Sequence, residues 1–186
     1  MQTTSGLIAE DVKVLRRTLN HLEDERKNWK VIRRKELVGL RKIDPLQAVE
    51  KDTWFHLACN SCEQSLYCLK RMCEPSLEHV DNNFNPLSRE CIEEILPVKK
   101  KIVDYLMRSE RIVEDRDYEH IDALLAEEEA YKQQLSEMRR AQEDRIQMDL
   151  SQGLKVSLVY LNLLQETQEL LSDLRHYLRA FKRFQQ

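Results

Sequence analysis

Glycine and proline are scarce in this chain, and their scarcity limits the folds that it can adopt more than any other feature. The 186 residues include three glycines and four prolines, against roughly thirteen and nine expected from average usage. β-Sandwiches, barrels and α/β folds need frequent turns, and turns rely on these two residue types. The sequence therefore predicts an all-α fold, in which long helices are joined by few turns.

The composition is that of amphipathic helices. Charged residues make up 34% of the chain and hydrophobic residues 41%, a mixture typical of helical bundles and coiled coils. No apolar run approaches the roughly 20 residues that cross a bilayer, and the first residues lack the apolar region of a signal peptide. Residues 1–7 carry no pattern, so we expect a flexible N-terminus or a cloning remnant there.

Apolar residues that recur every three or four positions predict five long helices. We expect Pro86 and its asparagine-rich surroundings to form the clearest loop, and a turn at 149–153 to reverse the chain before the last helix. Residues 8–186 are therefore expected to form a single domain, an elongated antiparallel bundle. The predicted helices span about 8–43, 46–80, 87–114, 118–149 and 154–184.

The apolar row of the first predicted helix is interrupted at its centre. Arg26, Arg33 and Glu36 occupy positions of the row, and we expect the row to shift onto Ile32 and Leu37. A helix whose apolar stripe shifts in this way still packs against a neighbour through hydrophobic side chains.

Charge is distributed unevenly along the chain. Residues 1–44 carry a net charge of +4 and residues 87–150 a net charge of −6. We therefore expect the first helix to lie beside the acidic segment or to face anionic lipid headgroups. Its basic residues alternate with acidic ones and lack stacking aromatics, so a nucleic acid partner is not expected.

Five cysteines, an odd number in a helical chain, do not suggest a disulfide framework and indicate a reducing, cytoplasmic compartment. His56, Cys59, Cys62 and Glu63 are residue types that bind zinc. On a continuous helix, however, their side chains are spread along the axis, and the cysteines lie in the apolar row, where a free thiol packs as a small hydrophobe. A structural role is the favoured interpretation, and a metal or thiol-redox site is the alternative.

A second candidate site lies on the last predicted helix. Glu166, Glu169 and Asp173 share one face, and Glu166 interrupts the apolar row. A carboxylate near a core is costly unless it is paired or bound to a cation, so a divalent metal site is one hypothesis. The favoured interpretation is a solvated face with one ion pair, to Arg175.

Other charged runs predict no site. Glu127–Glu129 and Lys99–Lys101 surround their helices and are interpreted as solvated surface. The chain contains no glycine-rich phosphate loop and no nucleophile with a partner set. We therefore expect no enzymatic activity and no small-molecule substrate.

Two segments resemble a known family. They are "EPSLEHVDNNFNPLS" at 74–88 and "LVYLNLLQETQELLSDLRHYLRAFKRF" at 158–184. Both resemble the C-terminal cytoplasmic region of bacterial sodium/phosphate cotransporter family proteins, most closely the Bacteroides-type members. The residues of the first motif that carry the resemblance are Glu78, His79, Asp81, Asn82 and Asn83.

That cytoplasmic region is similar to the PhoU family, and the resemblance implies an antiparallel bundle built from three-helix repeats. The family places a metal-holding Glu/Asp-x-x-x-Asp signature on the last helix of each repeat. Its nearest remnants here are Gln165 with Glu169, or Glu166 with Glu169 and Asp173. The corresponding region of the second helix contains Asn60, Glu63 and Gln64, and only Glu63 among them is a carboxylate.

The resemblance further implies a regulatory or scaffolding domain that acts by helix docking. Its partner would be the membrane domain of the same sodium-dependent phosphate transporter, and the domain would be cytoplasmic and tethered to the inner membrane. Two alternatives remain: a metal-binding or redox helical protein, and a self-associating coiled-coil scaffold that forms a homodimer.

Overall fold

A computed structural model describes residues 2–40, 45–148 and 153–185 of the chain. Within these ranges every regular element is an α-helix, which confirms the all-α prediction. The last four helices begin and end within three residues of the predicted positions. The described helices are α1 (Gln2–Ile8), α2 (Val12–Leu40), α3 (Pro45–Asp81), α4 (Arg89–Glu114), α5 (Ile121–Met148) and α6 (Leu154–Gln185).

The N-terminal segment differs from the prediction. Residues 2–8 form a helix, whereas a flexible N-terminus or a cloning remnant was expected over 1–7. Asp11 separates α1 from α2, because its carboxylate accepts a hydrogen bond from the Val14 backbone N–H at 3.0 Å and so caps α2. The two helices approach closely at Gly6, where an added Cβ would lie 2.8 Å from Leu15 Cγ. Leu7 is buried in this contact.

Helices α3 and α6 form the centre of the bundle and run antiparallel. The Phe55 ring lies 6.4 Å from the Phe184 ring, whereas Thr167 lies beside Met72, with its hydroxyl 3.8 Å from the sulfur. Residue numbers therefore rise along α3 as they fall along α6. Helix α2 packs on α3, α5 packs on α6, and α4 packs on both α5 and α6.

Helices α5 and α6 lie side by side rather than forming one continuous rod. Asp122 near the start of α5 pairs with Lys182 near the end of α6 at 2.7 Å, and Gln142 hydrogen-bonds Ser157 at 3.1 Å. The chain therefore reverses between α5 and α6. Most of the predicted turn, residues 149–152, lies outside the described residues, as does the predicted end of the first helix at 41–43.

A single core cluster includes side chains from all six helices. Cys68, Cys73 and Cys91 belong to it and pack as small apolar side chains. Its largest fully buried members are Tyr105, Tyr160, Leu7, Leu15, Ile102, Ile121, Leu135, Leu163, Leu164, Leu171 and Leu178.

Three helices end without glycine. Glu10, Asn83 and Arg116 each have a positive φ, between 51° and 55°. At each of these ends the next residue's N–H bonds a carbonyl five residues back, as Phe84 does to His79 at 3.2 Å, which is the Schellman pattern. Glycine is common at helix ends of this kind, but other residues occupy the position in this chain. This explains part of the scarcity of glycine.

Candidate functional site

The proposed zinc-type residues on α3 each have a separate environment. Glu63 pairs with Arg33 of α2 at 2.9 Å, and His56 faces Asp52, one turn earlier on its own helix, at 3.4 Å. Cys59 is buried and Cys62 is half-buried. The four side chains therefore do not converge on one point.

The thiols of this group are not activated. Burial raises the pKa of Cys62 to about 12 and also raises the pKa of Cys59. A reactive cysteine requires a stabilised thiolate, and thus a lowered pKa. The environment favours protonated, packed thiols.

The carboxylates of α6 also have individual partners. Glu166 is buried and pairs with Arg71 of α3 at 2.8 Å, whereas Arg175 was the expected partner. Asp173 accepts a hydrogen bond from the Cys68 thiol at 3.4 Å, and burial raises the pKa of Asp173. Glu169 accepts a bond from Gln165, one turn away. The first two contacts join α6 to α3, the third lies within α6, and the three carboxylates do not form a set of metal ligands.

Arg175 instead pairs with Glu128, a buried carboxylate that was expected on the surface. Glu128 is fully buried, and the Arg175 Nε donates to one of its oxygens. Lys132 Nζ lies 3.9 Å from the other oxygen, too far for a hydrogen bond. The interpretation of Glu127–Glu129 as solvated surface is therefore wrong for Glu128. Its position in the apolar row of α5 directs the side chain into the core, where a cation from α6 compensates it.

A second polar network joins α4, α5 and α6. Arg145 donates to both oxygens of Glu94, at 2.7 and 3.0 Å, and Tyr160 donates to Glu94 at 3.1 Å. The hydrogen bonds from Arg145, more than that from Tyr160, hold the pKa of Glu94 below its ordinary value. The network fixes the register of three helices.

The motif at 78–83 forms the end of α3. The buried His79 ring bonds the Asn85 carbonyl at 2.8 Å, the Asn82 side chain bonds the Glu78 carbonyl at 2.8 Å, and Asp81 pairs with Arg16 at 3.4 Å. Asn83 has the positive φ of the helix end. The His79, Asn82 and Asn83 contacts close the turn after α3, and the Asp81–Arg16 pair joins α3 to α2, so these residues serve a structural role in this geometry.

Polar contacts fill the middle of the α2–α3 interface. Arg26 stacks over the Tyr67 ring at 4.0 Å from its centroid, and Arg33 donates to Asn60 as well as to Glu63. Ile32 is 48% exposed, so the expected shift of the apolar row onto Ile32 is wrong. The arginines stay in the interface because α3 offers an aromatic ring and a carboxylate opposite them.

As a consequence, α2 presents apolar side chains to solvent. Val31, Ile32 and Val38 are exposed, and Lys30, Arg34 and Lys35 are exposed among them. We call these six residues the α2 outer face. Helix α2 packs mainly on α1 and α3, so the expectation that it lies beside the acidic segment of α4 and α5 is wrong. Exposed aliphatic side chains interspersed with cations are typical of a surface that binds another surface.

No group of three or more histidine, cysteine or carboxylate side chains within the described ranges is placed to hold a metal ion. None of the helices in those ranges combines the length and apolar content that a bilayer crossing requires.

Comparisons with known proteins found no matching family model, no similar curated protein and no similar solved structure.

Sequence reasoning missed Glu128 and the α2 outer face for related reasons. Both depend on which polar residues a neighbouring helix can accommodate, and a single helix pattern does not contain that information. One usable signal was present: Glu128 falls in the row of Ile121, Leu125 and Leu135, and a charged residue in such a row predicts a buried pair.

Proposed function

We propose that this chain is a non-catalytic regulatory domain of a sodium-dependent phosphate transporter, and that the α2 outer face docks against the anionic membrane surface beside the transporter's membrane domain. The resemblance of 74–88 and 158–184 to cotransporter tails supports the identity of the partner. The all-helical bundle is compatible with the PhoU-like fold that the resemblance implies.

The observation that carries the docking step is the composition of the α2 outer face. Over residues 27–38 the helix carries five cations and one carboxylate. Lys27 and Arg33 are engaged with Asp24 and Glu63, which leaves the cations of the outer face directed to solvent beside Val31 and Val38. Juxtamembrane cations gain about 1 kcal/mol each near an anionic leaflet, and the aliphatic side chains can insert at the headgroup boundary.

Vesicle flotation tests this docking. The purified chain is mixed with phosphatidylcholine vesicles that contain or lack phosphatidylglycerol, and the floated fraction is measured. We expect binding to the anionic vesicles only. The variant Val31→Asp/Val38→Asp should bind at least about tenfold more weakly, because each aspartate adds repulsion of about 1 kcal/mol at that surface.

The matched control is Leu96→Asp/Met107→Asp, which places the same two changes at exposed apolar positions of α4. This control should bind like the unchanged chain. Equal binding to neutral and anionic vesicles, or equal weakening by both double variants, would contradict docking through α2.

Self-association is the rival use of the same surface. Light scattering of the unchanged chain should give the mass of a monomer. A dimer that dissociates in Val31→Asp/Val38→Asp but not in the control would instead support the coiled-coil scaffold.

A further inference from the structure

A cleft lies against α3 at Trp54. It has a volume of about 670 Å³ and is formed by the first half of α3, the start of α5 and the end of α6. Ligand sites for small organic molecules have volumes of roughly 300–1,000 Å³. The described lining residues include none from α2, so this cleft is separate from the α2 outer face.

The cleft is cationic. Arg179, Lys182 and Arg183 line it from the last turns of α6, with Asp122 of α5 opposite. Asp122 pairs with Lys182 at 2.7 Å, so the two arginines supply the excess positive charge. In the part of the chain that the structure describes, no carboxylate pairs with Arg179 or Arg183, and both side chains are exposed.

The two arginines are spaced to hold one polyanion. Positions four apart on a helix lie on one face, with Cβ atoms roughly 5–6 Å apart. Guanidinium groups bind phosphate oxygens through paired, charge-assisted hydrogen bonds. Adjacent phosphoryl groups of a single ligand can therefore engage both side chains.

The rest of the lining is apolar and aromatic. The half-buried indole of Trp54 forms one wall, and Leu125 and Ala126 form another part. An inorganic phosphate would leave this surface uncovered and the volume mostly unfilled. A flat aromatic group stacked on the indole would cover it.

We propose that this cleft binds a nucleoside phosphate, with the base against Trp54 and the phosphates held by Arg179 and Arg183. The assignment goes beyond the proposed docking function. Since the two surfaces share no described residue, Val31→Asp/Val38→Asp should leave nucleotide affinity unchanged.

Tryptophan fluorescence provides the test. The chain has two tryptophans, so Trp29→Phe leaves Trp54 as the only indole, and ADP is the probe. We expect saturable quenching of Trp54 by ADP. Pyrophosphate and adenosine, each carrying half of the ligand, should bind at least about tenfold more weakly, because each lacks one set of contacts.

Arg179→Ala/Arg183→Ala should weaken ADP binding by at least about tenfold through the loss of charge-assisted hydrogen bonds. The matched control, Arg17→Ala/Arg140→Ala, removes the same charge from exposed positions away from the cleft and should change affinity little.

Circular dichroism confirms that each variant is folded, and calorimetry on the unchanged chain replaces fluorescence if Trp29→Phe unfolds. Absence of saturable ADP binding, pyrophosphate affinity equal to that for ADP, or equal loss in both double variants would overturn the proposal.

Discussion

At the scale of single residues, the helix ends show strain that a substitution can relieve. Arg116 follows α4 with φ of 55°, a conformation that costs an L-residue with a Cβ about 1–2 kcal/mol relative to right-handed geometry. Its side chain is exposed. Glycine adopts this conformation without that cost.

Arg116→Gly should therefore raise the free energy of unfolding by about 1 kcal/mol, after allowing for the greater freedom of glycine in the unfolded chain. Urea denaturation monitored by circular dichroism measures the change. Arg140→Gly is the control, since it makes the same replacement at an exposed position inside α5 and should lower stability by about 1 kcal/mol. Equal destabilisation by both would show that the end of α4 carries no strain.

At the scale of helices, hydrogen-bonded charges set how α4, α5 and α6 pack. Glu94 accepts bonds from Arg145 of α5 and from Tyr160 of α6, and they lower its pKa in the folded state. A carboxylate with a lowered folded pKa stabilises the fold when it is ionised. That contribution is complete above the ordinary value of 4.5 and is lost as the pH falls through the folded pKa.

Glu94→Gln should consequently cost about 1–2 kcal/mol of stability at neutral pH, as expected for hydrogen bonds to a charged group. The cost should shrink as the pH falls below 4.5, because the carboxyl of the unchanged chain then also becomes neutral. Urea midpoints across this pH range measure the effect. The neighbouring Glu93→Gln, on an exposed side chain, should show little pH-dependent difference; identical pH profiles for the two variants would contradict the role of the network.

The same scale shows what could and could not be predicted from the sequence. Periodicity located α3 to α6, and Ser88 before α4 is a recognisable capping residue, whose hydroxyl accepts the Cys91 N–H. Helix α1 was missed, although Asp11 before Val12 is a recognisable capping position. The partners of Glu166, Glu128 and Arg33 could not be predicted, because they depend on the register between helices far apart in sequence.

At the scale of the whole molecule, charged side chains pair across the helix interfaces, whereas those of the α2 outer face are directed to solvent. Arg71 of α3 pairs with the buried Glu166 of α6, and Arg108 of α4 pairs with Glu127 of α5. The α2 outer face has no such cover among the described helices. This contrast supports the proposed docking of the α2 outer face against another surface.

Sodium-dependent phosphate uptake tests this account most directly. Cells that carry the complete natural gene are compared with cells in which it encodes Val31→Asp/Val38→Asp, or Leu96→Asp/Met107→Asp as the control, at matched protein levels. The account predicts that sodium-dependent uptake of radiolabelled phosphate, or its response to external phosphate, changes in the first variant and not in the control. Unchanged uptake and an unchanged response in the first variant, and in cells that lack the segment altogether, would contradict it.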